Sequence, residues 1–369
     1  MLTSRFSTEV NDWLTIKNDT RLVRYDRYIS VTSAICGSSD AACNAVGQAL
    51  YTGIGDPTLA YGAGGGPTYD QTTWGIQNVT TGIAEFETGN FRHQAVFGLD
   101  MAYQQDERQG YSYSGGKGPL PTLWNPNTSS SSYSIVENPA NVKDSDSRNV
   151  ALFASDRVWL TDEFSLIGGV RWDYYKAKYD QISSSGRTIT DAETSFVSPK
   201  ISAIWEPTKD QSYYLSYAVS KNVPWGQYIA SDVNGVAAAK ATWDPETSST
   251  VEAGAKLDFL DGRLGVTGAV FQVTKDNSIH VNPDSSVTYS GEKQRVRGVE
   301  VGVNGKLTDQ WDVYASYTYL DSQILDASAA ATIGNPVAGV AKNSGSIWTT
   351  YDLAPHFDAI DGELLVGGG

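Results

Sequence analysis

An all-β chain, built as an antiparallel transmembrane β-barrel fragment with about 14 strands, is the fold that the sequence predicts, and three observations predict it. Apolar and polar side chains alternate with a period of two in one segment after another. Very short turns and long polar connections take turns along the chain. The composition is rich in Tyr (21), Trp (10), Phe (10) and Gly (36) and poor in Met (2) across 369 residues, which favours strands and turns over helical cores.

The strands come in pairs. Their short connections are Asn11-Asp12, Thr88-Gly89-Asn90, Thr161-Asp162-Glu163, Pro207-Thr208-Lys209-Asp210, Asp261-Gly262 and Thr308-Asp309-Gln310, all with turn chemistry. The long connections lie near 31–70, 108–147, 221–247, 276–292 and 324–341 and are rich in Gly, Ser, Asn and Pro. This division leaves strands of roughly 10–16 residues, long enough to cross a bilayer at a tilt. Short turns at one rim and long loops at the other are the build of an outer-membrane barrel.

Alternation is explicit in four places. Tyr213, Leu215, Tyr217 and Val219 oppose Ser212, Ser216 and Ser220, and Val299, Val301 and Val303 oppose Gly298, Glu300 and Gly302. Phe164, Leu166, Val170 and Trp172 oppose Ser165, Arg171 and Asp173, and Val251, Ala253, Leu257 and Phe259 oppose Glu252, Lys256 and Asp258. A helix would scatter these charges over both faces. A β-sandwich shows the same alternation with the apolar face inside, so the tryptophans carry the membrane reading: Trp13, Trp159, Trp205 and Trp311 sit at the short-turn ends of their strands, as an interfacial girdle does.

Net charge of −15 opposes binding to a phosphate backbone, so no nucleic-acid partner is expected. No stretch approaches the roughly 20 apolar residues of a membrane-spanning helix. The mean hydropathy of −0.32 fits a soluble protein and a barrel equally, because barrel strands expose apolar residues only at alternate positions. Met1-Leu2-Thr3-Ser4-Arg5-Phe6 has neither a basic start nor an apolar core, and Leu365–Gly369 stop inside a strand pattern, so the chain reads as truncated at both ends.

Several segments resemble the barrel of TonB-dependent siderophore receptors. Trp243-Asp244-Pro245-Glu246 leading to Val251-Glu252-Ala253-Gly254-Ala255-Lys256 is similar to the family's Asn-Pro-Glu…Glu-x-Gly-x-Lys strand entry, with Asp244 in place of Asn. Ser198-Pro199-Lys200 with Tyr214-Leu215-Ser216-Tyr217, Arg297-Gly298-Val299-Glu300, and Trp311-Asp312-Val313-Tyr314 are also family-like. Lys342-Asn343 and Trp348-Thr349-Thr350-Tyr351 are closest in texture to the ferric-catecholate branch.

The resemblance implies an outer-membrane receptor of a Gram-negative bacterium that imports ferric siderophores, iron entering as the chelate and no cofactor being bound directly. Its implied partners are outer-membrane lipid and, through a plug domain, the TonB-ExbB-ExbD complex. It also implies a complete barrel of 22 strands, so residues 1–369 read as one partial barrel domain without plug or closing strands. Two other readings stay open on the residues alone: a passive outer-membrane porin or channel, and a soluble β-rich surface adhesin or carbohydrate-binding module.

No catalytic or metal-binding set is expected. His93, His280 and His356 have no metal-ligand spacing to each other or to a cysteine, and Gly62-Ala63-Gly64-Gly65-Gly66-Pro67 does not join a strand to a helix as a phosphate loop does. Cys36 and Cys43, close together in the first long loop, are expected to form a local disulfide, which stabilises by on the order of 2–3 kcal/mol. A bulky, aromatic, anionic chelate requires aromatic faces and cationic donors at the barrel mouth. Candidate ligand contacts are Tyr61, Tyr69, Trp124, Tyr133, Lys221, Trp225 and Tyr228, supplemented by Tyr111, Tyr113, Arg108, Lys117 and Lys143. Arg171, Lys200, Glu300 and Arg297 are expected to face inward.

Overall fold

The computed structural model describes residues 1–30, 34–36, 40–61, 68–115, 121–125, 133–223, 244–281, 287–327, 330–357 and 359–369. Fourteen strands form one antiparallel sheet in which each strand pairs with the next in the chain: β1 (Leu2–Asn11), β2 (Leu14–Ser30), β5 (Thr68–Thr88), β6 (Phe91–Gly115), β7 (Tyr133–Trp159), β8 (Phe164–Ser183), β9 (Gly186–Thr208), β10 (Gln211–Asn222), β11 (Glu246–Phe259), β12 (Leu264–Val281), β13 (Val287–Lys306), β14 (Trp311–Asp326), β15 (Asn343–Asp352) and β16 (Leu365–Gly368). A two-stranded ribbon of β3 (Ala34–Ile35) and β4 (Ala60–Tyr61) stands in the first long connection. All six expected short turns are hairpin connections at one rim.

Alternation assigns the faces. Ile201, Leu215 and Val270, on one face, are 58%, 57% and 54% exposed, whereas the buried polar residues Thr73, Asp106 and Ser165 lie on the other. An apolar face left uncovered while the polar face is buried is the inverse of a soluble sandwich and is the arrangement of a barrel wall in lipid. On the outward face of β5, Trp74 and Phe86 are twelve residues apart, as are Tyr103 and Phe91 on β6. Twelve residues at the usual tilt rise about 30 Å, the height of a hydrocarbon band with its two interfaces. Trp74 and Tyr103 touch at 5.0 Å between ring centroids, forming part of the outer girdle. Phe164, Trp205 and Tyr213 share one outward row at the short-turn rim, where Trp311 also faces outward.

Four expectations change. Trp159 belongs to the inward face, in register with Arg92 and the fully buried Ser165, and its ring lies 4.0 Å from the Arg92 guanidinium and 4.4 Å from that of Arg157. Proximity to a turn places a residue at a rim, but only strand parity chooses its face, and the outward residues of β7 are the even ones. Arg297 faces outward with Val299 and Val301 and donates to Gln272 at 2.9 Å, unlike Arg171, Lys200 and Glu300, which face inward. Strands β5 to β9 run to 20–27 residues, well beyond 10–16. Their outer ends mix polar residues into both faces, so the alternation that marks a strand fades there although the hydrogen bonding continues.

The fourth change is α1 (Asp40–Thr52), a helix inside the first long connection. Ala41, Ala42, Ala45 and Ala49 give it helix propensity, and Gly53 ends it at φ +68°, donating its N–H to Ala49 O at 2.9 Å. Ser184-Ser185 between β8 and β9 is likewise a tight turn on the long-loop side.

One outward patch is polar midway between the girdles. Asn18, Thr20, Asn78 and Thr80 face lipid but bond to one another: Asn18 Nδ2 donates to Thr80 Oγ1 at 2.8 Å, and Asn78 Nδ2 donates to Asn18 Oδ1 at 3.1 Å and to Thr20 Oγ1 at 2.7 Å. In hydrocarbon each unsatisfied polar group costs more than the bond is worth in water. Asn78→Leu is therefore expected to destabilise the folded wall by about 1–3 kcal/mol, because it removes the bonds that Asn78 makes to Asn18 and Thr20 and leaves those groups only partly satisfied, whereas the double change with Asn18→Leu recovers much of the loss. Urea unfolding in lipid vesicles reads both; additive losses in the double variant would show that the bonds do not couple.

Candidate functional site

The inward faces of β2, β5, β6 and β7 converge near the long-loop rim. One hydrogen-bonded row places Arg27, Gln71, Arg108 and Lys143 side by side on four neighbouring strands. The row beneath it runs Tyr25, Thr73, Asp106, Ser145, Tyr179 and Thr190. Together the rows carry three cations and one carboxylate, and Gln71, Thr73, Asp106, Arg108, Lys143 and Tyr179 are all buried.

Tyr69 completes the site. It is one position above Gln71 on the same face, and its ring is flanked by two guanidinium groups, Arg108 at 3.4 Å from the centroid and Arg27 at 5.3 Å. Arg27 also donates to the Tyr69 hydroxyl at 2.7 Å and to Gln71 Oε1. Gln71 donates in turn to Asp106, whose Oδ2 accepts the Thr73 hydroxyl as well. Burial lowers the local dielectric and strengthens each of these contacts, while the same burial makes unbalanced charge costly. The arrangement therefore holds an aromatic ring and cationic groups in fixed positions, with Arg27 the exposed member.

Behind this cluster a small apolar core seals the wall: Ala177, Tyr179, Ala192 and Val223 are buried, with Tyr175 and Phe196 packed against them. Val223 follows β10 directly, so the chain leaving β10 turns inward over β8 and β9. Deeper in the lumen, Arg171 bonds Asp173 at 2.9 Å and Asp100 at 3.1 Å, Gln77 donates to Asp100 at 2.9 Å, and Asn149 donates to Asp173 at 3.3 Å. Farther round the wall Tyr214 donates to Glu252 at 2.6 Å. Gly254 leaves room for that tyrosine, since a Cβ there would lie 2.5 Å from its hydroxyl.

The expected contact residues are spread over several places. Tyr69, Arg108 and Lys143 join the buried cluster. Trp124 packs into a clasp between the first two long connections, where its indole N–H donates to Gly55 O at 2.6 Å. Lys221 is in register with Thr247 on the face opposite Asn222 and Glu246, so it lies on the outward side. Tyr61 is in β4, paired with Ala34, and Tyr133 opens β7, paired with Gly115. Tyr111, displaced by an irregularity in β6, bonds Asp70 and meets Tyr28 edge-on at 6.1 Å. Trp225, Tyr228 and Lys117 lie outside the described residues, as does the run Gly62–Pro67.

Cys36 and Cys43 are disulfide-bonded, with Cα atoms 4.7 Å apart. No group of three or more metal-ligating side chains occurs among the described residues.

Arg27, Gln71, Thr73 and Asp106 were absent from the sequence-derived site. They sit on strand extensions, away from the loop aromatics; the signal in the sequence is the spacing of Tyr25 and Arg27, and of Tyr69, Gln71 and Thr73, two apart on one face.

Residues 4–368 match the family described as TonB dependent receptor-like, beta-barrel. The chain is 28% identical to the probable TonB-dependent siderophore receptor PiuA of Acinetobacter baumannii, over 81% of this chain and 43% of that protein. It is 25% identical to the catecholate siderophore receptor Fiu of Escherichia coli K12, over 99% of this chain and 49% of that one. The fold superposes on the crystal structure of PiuA with a TM-score of 0.73 at 23% identity, covering 96% of this chain and 52% of PiuA. For the closed form of Fiu the TM-score is 0.72 at 23% identity, covering 95% and 51%. The chain thus spans about half the length of the curated relatives it matches.

Proposed function

The chain belongs to the TonB-dependent receptor β-barrel family, and from that premise we propose that it forms the wall and ligand-recognition mouth of an importer of ferric siderophores, of the catecholate class. One observation carries the proposal: the row of Arg27, Gln71, Arg108 and Lys143, of which Arg27 is exposed and the other three are buried, faces inward at the long-loop rim with Tyr69 between two guanidinium groups. A ferric catecholate is anionic and presents aryl edges, so it matches cations and ring surface together. The name of Fiu, a catecholate siderophore receptor, supports the ligand class, and that of PiuA supports a siderophore as cargo.

The residues themselves bind and orient. Aligned guanidinium groups attract the chelate, the tyrosine ring restricts its approach, and the Arg171–Asp100–Asp173 brace keeps the wall rigid below. Release across the membrane belongs to a plug and to the TonB-ExbB-ExbD complex acting on it, both outside this chain. Residues 1–369 act as one partial barrel domain: β1 and β16 each pair along one edge only, and backbone left unpaired in lipid requires further strands. The setting is the outer membrane of a Gram-negative bacterium.

The test is uptake of labelled ferric catecholates by iron-starved, receptor-deficient cells that express the native-length protein, with and without TonB. Import is expected only with TonB. Equal uptake in both strains would replace this reading with a passive channel, and no uptake by correctly inserted protein would exclude ferric catecholates as cargo.

A further inference from the structure

We propose that Asp56 is a positioning residue that latches the first long connection to the second and holds the Trp124 ring toward solvent as a stacking surface for an aryl group. This inference rests on the importer reading for the identity of the ligand, but not for the latch.

The two connections are 66–68 residues apart in sequence at this point, yet they are joined by a compact set of bonds. Asp56 Oδ2 accepts the Thr122 hydroxyl at 2.7 Å, and Asp56 Oδ1 accepts the Trp124 backbone N–H at 2.9 Å. Around this carboxylate, Leu59 N–H donates to Pro121 O at 2.8 Å, Leu123 N–H donates to Pro57 O at 3.0 Å, and Thr58 bridges Thr122. Leu59 and Pro121 are buried, so the clasp has an apolar floor as well as polar rungs. On the chain just before Gly53, Ala49 of α1 is 2% exposed, and the Cys36–Cys43 disulfide ties the start of that helix.

The clasp determines how Trp124 can act. Its indole N–H is committed to Gly55 O, so the side chain has no polar donor left for a ligand. The side chain is nevertheless 53% exposed. A ring whose only donor is satisfied at its edge, and whose surface remains open, recognises flat π systems and not hydrogen-bond acceptors. Asp56 sets this geometry through the backbone of Trp124, without reaching the ring.

Hydrogen exchange by mass spectrometry on the native-length protein decides the latch. Asp56→Ala is expected to raise exchange in the distant segment 121–125 by about tenfold, because charge-assisted bonds are lost there, with Asp56→Asn intermediate. Unchanged exchange in 121–125 would overturn the latch. Ring presentation is read by titration with the ferric complex of 2,3-dihydroxybenzoate. Asp56→Ala and Trp124→Ala are expected to weaken binding by a similar factor, about five- to tenfold, and the double variant by no more than either alone. Multiplicative losses, or a loss for Trp124→Ala with none for Asp56→Ala, would overturn the positioning role. Absence of any binding by the unsubstituted protein would instead sink the importer's assigned ligand class, and the exchange result would still decide the latch.

Discussion

Arg108→Glu is expected to weaken binding of an anionic ferric chelate by about 100-fold, the largest functional effect of any single change in this wall. Arg108 lies in the centre of the cationic row, stacked 3.4 Å from the Tyr69 centroid, with Asp106 two residues away on the same face. Reversal turns three cations and one carboxylate into two of each. In a site with low dielectric such a change costs about 2–3 kcal/mol of binding free energy. Arg108→Lys keeps the charge but loses the planar contact with the ring, so a smaller loss of about tenfold is expected. Equilibrium titration with a ferric catecholate at two salt concentrations measures both. The loss should persist at the higher salt concentration, since a rim charge that merely steers ligand is screened whereas a buried one is screened much less. Equal affinities for Arg108→Glu and the unsubstituted protein would place ligand binding elsewhere in the mouth.

The largest effect on stability is expected at Arg171. Its guanidinium bonds Asp173 through Nε and Nη2 at 3.0 and 2.9 Å and reaches Asp100 at 3.1 Å. The two carboxylates are only 9% and 13% exposed. Arg171→Met leaves both facing each other in the lumen without their shared cation, a loss of about 3 kcal/mol. Adding Asp100→Asn and Asp173→Asn is expected to restore most of it, because the damage comes from stranded charge and not from lost packing. Urea midpoints in vesicles distinguish the two: if the triple variant is no more stable than Arg171→Met alone, the brace does not work through charge.

The short-turn rim was almost fully legible in the sequence. Asn11-Asp12, Thr88-Gly89-Asn90 and Asp261-Gly262 make turns through local backbone chemistry that distant contacts do not alter, and Gly89 and Gly262 take positive φ, at +62° and +80°. The strand cores between the girdles were legible for a related reason. Lipid demands an apolar side chain at every second position, so Phe164, Leu166, Val170 and Trp172 announce both the strand and its outward face. Trp159 shows the limit of that reasoning, since a residue near a turn is placed on one face or the other only by its register with Arg92 and Ser165. Arg297 shows it too: it shares its face with Val299, although its charge suggests the lumen.

The site was less legible than the fold. Tyr69, Arg108 and Lys143 were recognisable as aromatic and basic residues in suitable regions, but each was read as part of a loop, and each belongs to a strand. Trp124 was recognisable as an aromatic contact, whereas the carboxylate of Asp56 that holds it comes from a different connection altogether.

By itself the sequence determined the strand number, the hairpin turns, the face exposed to lipid and the family, because these follow from period-two patterning, turn chemistry and local motifs, all of which are short-range. Only the tertiary structure decided that Arg27, Gln71, Arg108 and Lys143 form one row, that Asn18 and Asn78 satisfy each other in the bilayer, and that Asp56 meets Trp124. Each of these depends on the register between strands or loops whose paired residues are 35 to 68 positions apart, and register is set by the whole ladder of backbone hydrogen bonds and never by any single residue in it.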